Sequence, residues 1–388
     1  MPQLAHRIEL KPSQMATRYF RRAAGTARFA YNWALAKWQE KYQAGQKGIT
    51  GFGLVKEFNS IKHQEFPWTS EVTKWAPQKS IQNLDDAFKR FFQKKSKYPR
   101  FKKKGLARDS FYLGVGAFSI QGKYLKVPKL GRVKMTQALR FPGTPKSVVV
   151  SREGEDWFAS VQIELDETFV YPNRCETQAS VGIDLGVKTL ATLSDGTKIE
   201  PHRATKRYSC KLARAQRGLA RKVKGSRNRA KARLQVSKIH LRIKRLRSDS
   251  IHKMTASVVK RFKWIGIEDL GLKGMVRNHK LAKSLVDMAG YEIKRQLEYK
   301  SVLAGSNVAV AARFYPSSKL CSRCGSKLAE LKLEVREWIC PACGACHDRD
   351  VNAAKNLEQV SLRHRETRNA CGEDVRPRAH GAVRHSGK

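Results

Sequence analysis

The stretch SVGIDLGVKTLATLSDGTKIE, residues 180–200, has the pattern of three short strands joined by tight turns. Apolar residues alternate along the first strand with one carboxylate, that of Asp184, and the Asp-Gly pair at 195–196 is a strong signal for a two-residue hairpin. An acid inside a buried strand is costly unless it is paired or holds a metal ion. Asp184 is therefore either a metal ligand or a residue that closes a turn at the strand end.

Two later stretches place further acids at the ends of predicted elements. Residues 263–270, KWIGIEDL, read as an apolar strand that ends at Glu268, and Asp350 opens the helical stretch VNAAKNLEQVSL. We expect these three acids to converge and to supply the oxygen ligands that Mg²⁺ or Mn²⁺ prefers. Two such ions about 4 Å apart can activate a water and stabilise the leaving oxygen of a phosphodiester. The order of parts resembles the RNase H-like RuvC nuclease pattern.

The charge balance indicates an anionic partner. The 388 residues, enough for two or three domains, include 78 Lys and Arg against 33 Asp and Glu, which gives a formal charge of +45. Nucleic acid is the first candidate, because cations that neutralise phosphates release counterions. A membrane surface is the alternative, but no apolar stretch approaches the ~20 residues of a membrane-spanning helix. The N-terminus lacks the apolar segment of a signal peptide, so we expect a cytoplasmic protein.

Four of the eight cysteines have the spacing of a zinc site. Cys321 and Cys324 form one Cys-x-x-Cys pair, Cys340 and Cys343 form a second, and a glycine follows each pair. In a reducing compartment, thiolates at this spacing bind zinc far more often than they form disulfides. Cys346 and His347 lie close enough in sequence to compete for the fourth position.

The N-terminal part alternates between strand-like and helical segments. Residues 3–10 are predicted to form a strand and residues 13–42 a helix, followed by a helical block at 70–95. Residues 110–170 contain several short strand patterns, which predict a small antiparallel barrel or sheet that includes the N-terminal strand. The aromatic residues of the first helix invite a role in base stacking, but their helical period favours a core stripe.

Two basic features of this part are candidate contacts to nucleic acid. Lys74 and Gln78 lie four residues apart on a predicted helix, where they either contact a phosphate or a base edge or form a solvated surface. Residues 94–104, KKSKYPRFKKK, contain a helix-breaking proline and only positive charge, which indicates a linker or an arm along a phosphate backbone. Lys102 and Lys103 are the candidate residues of this arm.

The long stretch 201–263 contains a single acid, Asp249, while its apolar residues keep a helical period. One face of these helices is predicted to pack on the sheet and the other to carry positive charge, with a division into two helices at 225–226. So much charge with one acid favours a nucleic-acid contact over a merely solvated surface. The candidate contact residues are Arg221, Lys222 and Arg229.

The order of motifs resembles that of the TnpB family, the transposon-associated nucleases related to type V CRISPR effectors. The motifs that carry the resemblance are GIDLG, GIED, FYPSSKLCSRCG and WICPACGACHDRDVNAAKN, with GTARFAYNWAL and YPRFKKK as weaker matches. The resemblance implies an RNA-guided DNA endonuclease whose guide RNA derives from the transposon end. It implies Asp184, Glu268 and Asp350 as the Mg²⁺-binding catalytic residues, with Asp348 as the alternative to Asp350. It also implies the four cysteines as zinc ligands, and Lys74 and Gln78 as residues near the target-adjacent motif.

The same resemblance predicts a multidomain protein of α/β class with a β-barrel. The expected parts are a RuvC-like nuclease domain with an inserted zinc ribbon, a wedge-type β-barrel with an inserted helical recognition domain, and a basic tail without ordered structure. Their expected ranges are 1–10 with 105–172 for the barrel, 11–104 for the helical domain, 178–315 with 348–363 for the nuclease, 316–347 for the ribbon and 364–388 for the tail. A monomer bound to guide RNA and double-stranded target DNA is the expected assembly.

Other functions compete with this interpretation. A cleavage-deficient RNA-guided repressor would share the architecture but lack a carboxylate, and all three are present. A zinc-ribbon nucleic-acid binder such as a ribosomal component would not need acids within strands. A transposase-type strand transferase shares the RNase H-like core, and only the guide RNA and neighbouring genes distinguish a type V CRISPR effector.

Overall fold

The structure is a computed structural model that describes residues 3–46, 48–166, 174–269, 279–332 and 334–370. The chain divides into two compact units, Met1–Phe169 and Val170–Lys388. Most of the predicted basic tail, residues 371–388, lies outside the described residues.

The first unit contains a seven-stranded antiparallel sheet whose strand order is β2-β6-β7-β1-β5-β4-β3. These strands are β1 (Gln3–Lys11), β2 (Ser110–Leu113), β3 (Ser119–Gln121), β4 (Tyr124–Val127), β5 (Gly131–Met135), β6 (Thr144–Glu153) and β7 (Asp156–Glu164). The N-terminal strand β1 is central, because it pairs with β7 on one side and with β5 on the other. Among the described residues the sheet does not close into the predicted barrel: its edge strands β2 and β3 have four and three residues and do not pair with each other.

The helices of the first unit are inserted between β1 and β2. They are α1 (Gln14–Gln43), α2 (Gly51–Glu65), a short 3-10 helix (Pro67–Glu71) and α3 (Trp75–Phe92). Helix α1 begins at an N-cap, where the side chain of Ser13 accepts a hydrogen bond from the amide of Ala16. Its first half packs on the sheet through Tyr19 and Phe20, and its second half packs on α2 and α3 through Leu35. One helix therefore joins two cores.

The second unit is built on a mixed five-stranded sheet with the order β10-β9-β8-β11-β12. Its strands are β8 (Ser180–Leu185), β9 (Ala191–Leu193), β10 (Lys198–Ile199), β11 (Trp264–Glu268) and β12 (Asn307–Ala311). Strands β8, β11 and β12 are parallel neighbours, whereas β8, β9 and β10 form an antiparallel meander. The three strands predicted in residues 180–200 are thus present, with the turn at Gly196 in a positive-φ conformation.

The helices of this unit are α4 (Ala204–Ala220), α5 (Arg227–Arg261), α6 (His279–Met288), α7 (Gly290–Ala304) and α8 (Arg349–Ala370). A two-stranded ribbon, β13 (Glu337–Ile339) and β14 (Cys346–Asp348), precedes α8. No helix in the described ranges has the length and apolar character required to cross a membrane.

Two boundaries in this unit differ from prediction. The helical period of the apolar residues over 281–305 predicts one helix. The structure has two, because Ala289 adopts a left-handed conformation with φ of 51° and the buried Gly290 starts the next helix. The predicted disordered tail begins too early, since α8 continues through Ala370. Arginine and glutamate in its last turns are good helix formers, and Thr367 also donates a hydrogen bond to the carbonyl of Arg363.

Candidate active site and metal centre

Two glycines allow α8 to lie directly on the parallel strands β8 and β11. Gly182 and Gly266 are paired across these strands, and a Cβ on Gly182 would lie 1.8 Å from the carbonyl oxygen of Ala354. A Cβ on Gly266 would lie 1.9 Å from the carbonyl oxygen of Leu357. Real Cβ atoms never approach backbone oxygens so closely, so any other residue would force the helix away from the sheet.

The strand period then places two acids on the helix-facing side of the sheet. Side chains two residues apart in a strand share a face, so Asp184 lies on the same face as Gly182, and Glu268 on the same face as Gly266. Because Ile183 pairs with Ile267, Asp184 and Glu268 are the next residues along these neighbouring parallel strands. The two carboxylates therefore lie side by side at the C-terminal ends of their strands.

Helix α8 brings the third acid to the same end of the sheet. The hydroxyl of Ser180 donates to the Glu358 carboxylate at 2.5 Å, and Ala354 lies over Gly182, so the helix runs antiparallel to β8. Four helical residues rise about 6 Å and two strand residues advance about 6.6 Å, so the two elements stay in step. One further step brings Asp350, in the first turn of α8, to the level of Asp184.

The electrostatics of Asp184 show that these carboxylates interact. The pKa of Asp184 is raised from 3.8 to about 7, chiefly by burial and then by the charges of Asp350 and Glu268, against opposing effects of Arg349 and Arg336. The pKa of Glu268 is also raised, by burial and by the neighbouring Asp269. A neighbouring cation would therefore favour the ionised form of these carboxylates.

The three acids are not gathered around a single point. Within the described ranges, the four-cysteine cluster is the one group of at least three His, Cys, Asp or Glu side chains whose ligand atoms all lie within 4.8 Å of one another. The ligand atoms of Asp184, Glu268 and Asp350 are therefore not all within 4.8 Å of one another. A guanidinium nitrogen of Arg336 lies 3.3 Å from an Asp350 carboxylate oxygen.

Asp348 and Asp350, which the sequence leaves as alternatives, occupy different environments. One carboxylate oxygen of Asp348 accepts hydrogen bonds of 3.0 Å from the amides of Asp350 and Val351, which caps α8, and the other lies 2.7 Å from the Lys198 ammonium. Burial opposes ionisation of Asp348, but these donors outweigh it and lower the pKa. Asp348 thus serves as the N-cap of α8, whereas Asp350 lies near enough to Asp184 to raise the pKa of Asp184.

The four predicted cysteine ligands form a tight cluster. The sulfur atoms of Cys321 and Cys343 are 3.7 Å apart, and those of Cys324 and Cys340 are 3.6 Å apart. Tetrahedral zinc with Zn–S bonds of about 2.3 Å places its sulfur ligands about 3.8 Å apart. The cluster therefore fits a zinc ion without rearrangement.

The two Cys-x-x-Cys segments adopt the same turn. The amides of Gly325 and Gly344 each donate a 2.9 Å hydrogen bond to the carbonyl of the first cysteine of their pair, and both glycines have positive φ, 75° and 68°. Burial disfavours the thiolate of Cys340, but hydrogen bonds from the amides of Ala342 and Cys343 and from neighbouring thiols lower its pKa to about 7. Against a backbone hydrogen bond at Ser326, contacts with the neighbouring thiols raise the pKa of Cys324 to about 12, so the cluster favours the thiolate at Cys340 over that at Cys324.

His347 and Cys346 are not members of the four-cysteine group. The His347 Nε2 atom lies 3.0 Å from the Cys321 sulfur, and its ring packs against Trp338 with centroids 4.7 Å apart. His347 therefore contacts a ligand sulfur from outside the cluster. Cys346 is exposed on β14, where it pairs with Ile339.

Two buried asparagines fix the cysteine segment to α8. Asn352 and Asn356, one turn apart, are 1% and 2% exposed. The Asn356 amide donates to the carbonyls of Ser317 and Leu320 at 2.8 and 2.6 Å, and Asn352 bonds both the Leu320 carbonyl and the Ser322 amide. The helix that carries Asp350 is thus held to the segment that carries Cys321 and Cys324.

The candidate nucleic-acid residues of the second unit differ in their environments. Arg221 and Lys222 are exposed at the C-terminal end of α4. Arg229 is turned inward, and its guanidinium donates to the carbonyls of Leu219 and Lys222 at 3.1 and 2.7 Å. Arg229 therefore caps α4 and fixes the turn into α5.

The candidate nucleic-acid residues of the first unit also include both exposed and inward-facing side chains. Lys74 is exposed and lines a cavity of about 660 Å³, while Gln78 is partly buried on the next turn of α3 and is not among the residues that line the cavity. Lys103 is exposed, but Lys102 is turned inward: its ammonium lies 3.6 Å from the centroid of the Tyr31 ring. Burial lowers the pKa of Lys102.

Sequence reasoning missed four residues that shape this site. Lys198 and Arg336 are ordinary surface cations in the sequence, and no local pattern ties them to distant aspartates. Asn352 and Asn356 do carry a signal, because two asparagines four residues apart share one face of the predicted helix.

Three family models match parts of the chain. One described as "Probable transposase" matches residues 159–279, one described as "Cas12f1-like, TNB domain" matches residues 291–357, and one described as "Helix-turn-helix domain" matches residues 1–47. Over the last range, the described residues form the strand β1 and the single helix α1.

Whole-chain similarity extends to named proteins. A candidate RNA-guided DNA endonuclease of Streptomyces pristinaespiralis is 36% identical over 96% of this chain and 92% of its own length. The candidate RNA-guided DNA endonuclease InsQ of Escherichia coli (strain K12) is 34% identical over 96% and 94%. Among solved structures, the cryo-EM structure of a Cas12f1-sgRNA-target DNA complex covers 89% of this chain and 83% of its own, with 15% identity and a TM-score of 0.52, which is a similarity of fold.

Proposed function

The chain belongs to the TnpB family, and on this premise we propose that it is a transposon-associated RNA-guided DNA endonuclease. The observation that carries the proposal is that Asp184, Glu268 and Asp350 lie at one end of the sheet of the second unit, where the charges of Glu268 and Asp350 raise the pKa of Asp184. This family and this arrangement of acids together favour phosphodiester hydrolysis over binding alone.

We propose that the three carboxylates bind Mg²⁺ or Mn²⁺ as the catalytic residues. Bound ions would activate the attacking water and stabilise the leaving oxygen. The protein's part is to hold the carboxylates in place: β8 and β11 fix Asp184 and Glu268, and the cap at Asp348 fixes the first turn of α8, which contains Asp350. The raised pKa of Asp184 means that cation binding displaces a proton from it near neutral pH.

The domain roles follow from this assignment and are part of the proposal. Residues 178–315 and 348–363 would form an RNase H-like RuvC domain, with residues 316–347 as a zinc-binding insertion. The sheet of the first unit would serve as the wedge element and its inserted helices as the recognition element. We further propose a monomeric cytoplasmic ribonucleoprotein whose guide RNA derives from the transposon end.

The cavity beside Lys74 is the proposed contact to the target-adjacent motif. It is lined by helical residues such as His63 and Trp75 and by sheet-side residues such as Phe118, and four lysines contribute to it, Lys62, Lys74, Lys126 and Lys129. Lysine ammonium groups suit phosphate, and the aromatic and polar side chains suit base edges. Gln78, one turn from Lys74, is the second proposed contact.

The basic helices α4 and α5 are the proposed contact to the nucleic-acid backbone. Arg221 and Lys222 are exposed at the turn between them, so they can bind phosphates, whereas we assign Arg229 to the structure of the turn. Recognition of sequence by RNA pairing leaves the protein to recognise backbone, which fits this distribution of charge.

Purification of the protein from cells that also carry its native flanking DNA tests the proposed function. The co-purifying RNA would be sequenced, and the complex incubated with Mg²⁺ and plasmids that carry a matching target beside a randomised flank. We expect one discrete RNA with a variable end, and cleavage that requires both the match and a particular flank. Guided binding without cleavage would indicate a repressor, and absence of a specific RNA would favour strand transfer or simple binding.

A further inference from the structure

Four aromatic rings form a stack near the C-terminal ends of α1 and α3 in the first unit. Tyr42 and Trp38, four residues apart on α1, have centroids 5.1 Å apart and an interplanar angle of 12°. Trp38 in turn stacks on Phe88 of α3 at 3.9 Å and 19°, and Phe92 follows Phe88 at 6.2 Å and 24°. We name Trp38, Tyr42, Phe88 and Phe92 the aromatic stack.

The two ends of the aromatic stack are open to solvent. Tyr42 is 64% exposed and Phe92 is 63% exposed, whereas Phe88 is buried. The core stripe predicted for the first helix includes the buried Tyr31 and the partly buried Trp38, whereas Tyr42 is not a member of that core. Exposed aromatic faces already stacked on other rings lose little side-chain freedom when a further planar group is added.

The basic arm, residues 94–104, is pinned beside the aromatic stack. Tyr98 of the arm packs edge-on against Phe88 and Phe91, with centroids 5.5 and 5.3 Å apart. Further along, the Asn32 side chain bonds both the amide and the carbonyl of Lys102, at 2.7 and 3.0 Å. These contacts make the arm an ordered strip of positive charge, which differs from the flexible linker that its composition also allows.

The local charge selects the class of partner. The basic arm, residues 94–104, contains seven Lys and Arg and no Asp or Glu. Two copies of such a surface repel each other, so self-association through the aromatic stack is disfavoured. Phosphates would be attracted, and the bases attached to them have planar faces that stack on aromatic rings.

We propose that Tyr42 and Phe92 form a stacking platform for unpaired bases of a single-stranded nucleic acid whose phosphates lie along the basic arm. The proposal deepens the proposed function and rests on it for the presence of RNA and DNA. An unpaired guide-RNA segment and a displaced DNA strand share this chemistry, namely a base with adjacent phosphates.

Binding of short oligonucleotides to the full-length protein, freed of cellular RNA, tests the platform. The probes are oligo(rU), oligo(dT) and an abasic deoxyribose-phosphate chain, each of about 12 nucleotides, a length within the range of single-strand binding sites. Dissociation constants would be measured by fluorescence anisotropy. The abasic chain keeps the phosphates and lacks the bases, so the ratio of affinities isolates stacking.

We expect the double variant Tyr42→Ala with Phe92→Ala to lose at least about 30-fold in affinity for a base-bearing probe, because it removes the stacking of two bases. Its affinity for the abasic chain should be unchanged. The double variant Tyr42→Phe with Phe92→Tyr keeps both rings and should bind like the wild type. Preferential loss for oligo(rU) would identify RNA as the partner, and preferential loss for oligo(dT) would identify DNA.

A third double variant, Tyr42→Leu with Phe92→Leu, keeps apolar contact with Trp38 and Phe88 but removes the flat faces. It should lose the same affinity for base-bearing probes as the alanine variant. If the alanine variant has a lowered melting temperature, the leucine variant replaces it in the comparison. The proposal would be overturned if the ratio of affinities for base-bearing and abasic probes were the same in the wild type and the alanine variant. It would also be overturned if the leucine variant bound the base-bearing probes as tightly as the wild type. Light scattering that shows a wild-type dimer and a monomeric alanine variant would overturn it as well. Binding of these probes requires neither a guide RNA nor the three carboxylates. The test of the stacking platform therefore remains valid even if the protein does not cleave DNA.

Discussion

The carbonyl oxygen of Ala354 occupies the position that a side chain on Gly182 would need, only 1.8 Å from where its Cβ would lie. This contact sets α8 directly on β8, and the same relation recurs between Gly266 and Leu357. Because strand and helix stay in step, the close approach also determines where Asp350 lies relative to Asp184. Packing of the second unit and assembly of its acids thus depend on the same backbone contact.

Replacing Gly182 with Ala should destabilise the second unit by roughly 2–4 kcal/mol, since the methyl group meets backbone atoms that cannot move singly. Guided cleavage should fall by more than the loss of folded protein explains, because α8 must shift. Thermal unfolding together with cleavage per folded molecule measures both effects. Gly218→Ala, on α4 with nothing within 4 Å of the new Cβ, is the matched control and should be neutral or slightly stabilising.

Replacing Asp184 with Asn should stabilise the protein in magnesium-free buffer at neutral pH. The folded-state pKa of Asp184, about 7, lies above its ordinary value of 3.8, so its contribution to stability is greatest below about pH 4 and declines as pH rises toward 7. The Asn variant lacks this decline. The free energy of unfolding of the Asn variant should exceed that of the wild type by an amount that grows between about pH 4 and 7. The difference should reach on the order of 2–4 kcal/mol above pH 7, measured by denaturant unfolding at each pH.

Asp348→Asn is the control for this pH dependence, because the pKa of Asp348 is lowered and the sign is opposite. That variant should be less stable than the wild type at neutral pH, and the deficit should disappear as the wild-type carboxylate is protonated in acid. A stability advantage of Asp184→Asn that did not change with pH would contradict the electrostatic account.

Replacing Cys340 with Ser should remove the bound zinc and lower the melting temperature, since a structural zinc site contributes folding free energy directly. Zinc per chain by elemental mass spectrometry and a thermal scan provide the readouts. Cys346→Ser changes an exposed cysteine outside the four-cysteine group and should retain full zinc. Loss of zinc from Cys346→Ser alone would reassign the ligand set.

Replacing Asn356 with Ala should cost about 1–3 kcal/mol, because it removes a buried donor to the carbonyls of Ser317 and Leu320. Asn228→Ala, at an exposed position of α5, should change the free energy of unfolding by less than about 0.5 kcal/mol. Denaturant unfolding compares the two variants. Similar small effects from both would show that Asn356 does not hold the cysteine segment to α8.

Sequence patterns carry local information well in this chain. Alternation and the Asp-Gly turn predict the three strands of residues 180–200, and cysteine spacing predicts a cluster that the structure brings within 4.8 Å. The contacts of long side chains are not encoded locally. Lys102 and Arg229 have the same sequence signature as Lys103 and Arg221, yet only the former pair turn inward. Closure of the predicted barrel likewise depends on pairing between distant short strands, which local pattern does not determine.

We propose above that Asp184, Glu268 and Asp350 form the cation-dependent cleavage site of an RNA-guided nuclease. The most direct test of this proposal compares the wild-type ribonucleoprotein with Asp184→Asn on a matched plasmid in Mg²⁺, with target binding measured in parallel. We predict that the variant binds the guided target as the wild type does and cleaves at least about 100-fold more slowly, a loss of roughly 3 kcal/mol or more of transition-state stabilisation. Cleavage by Asp184→Asn at the wild-type rate would contradict the account.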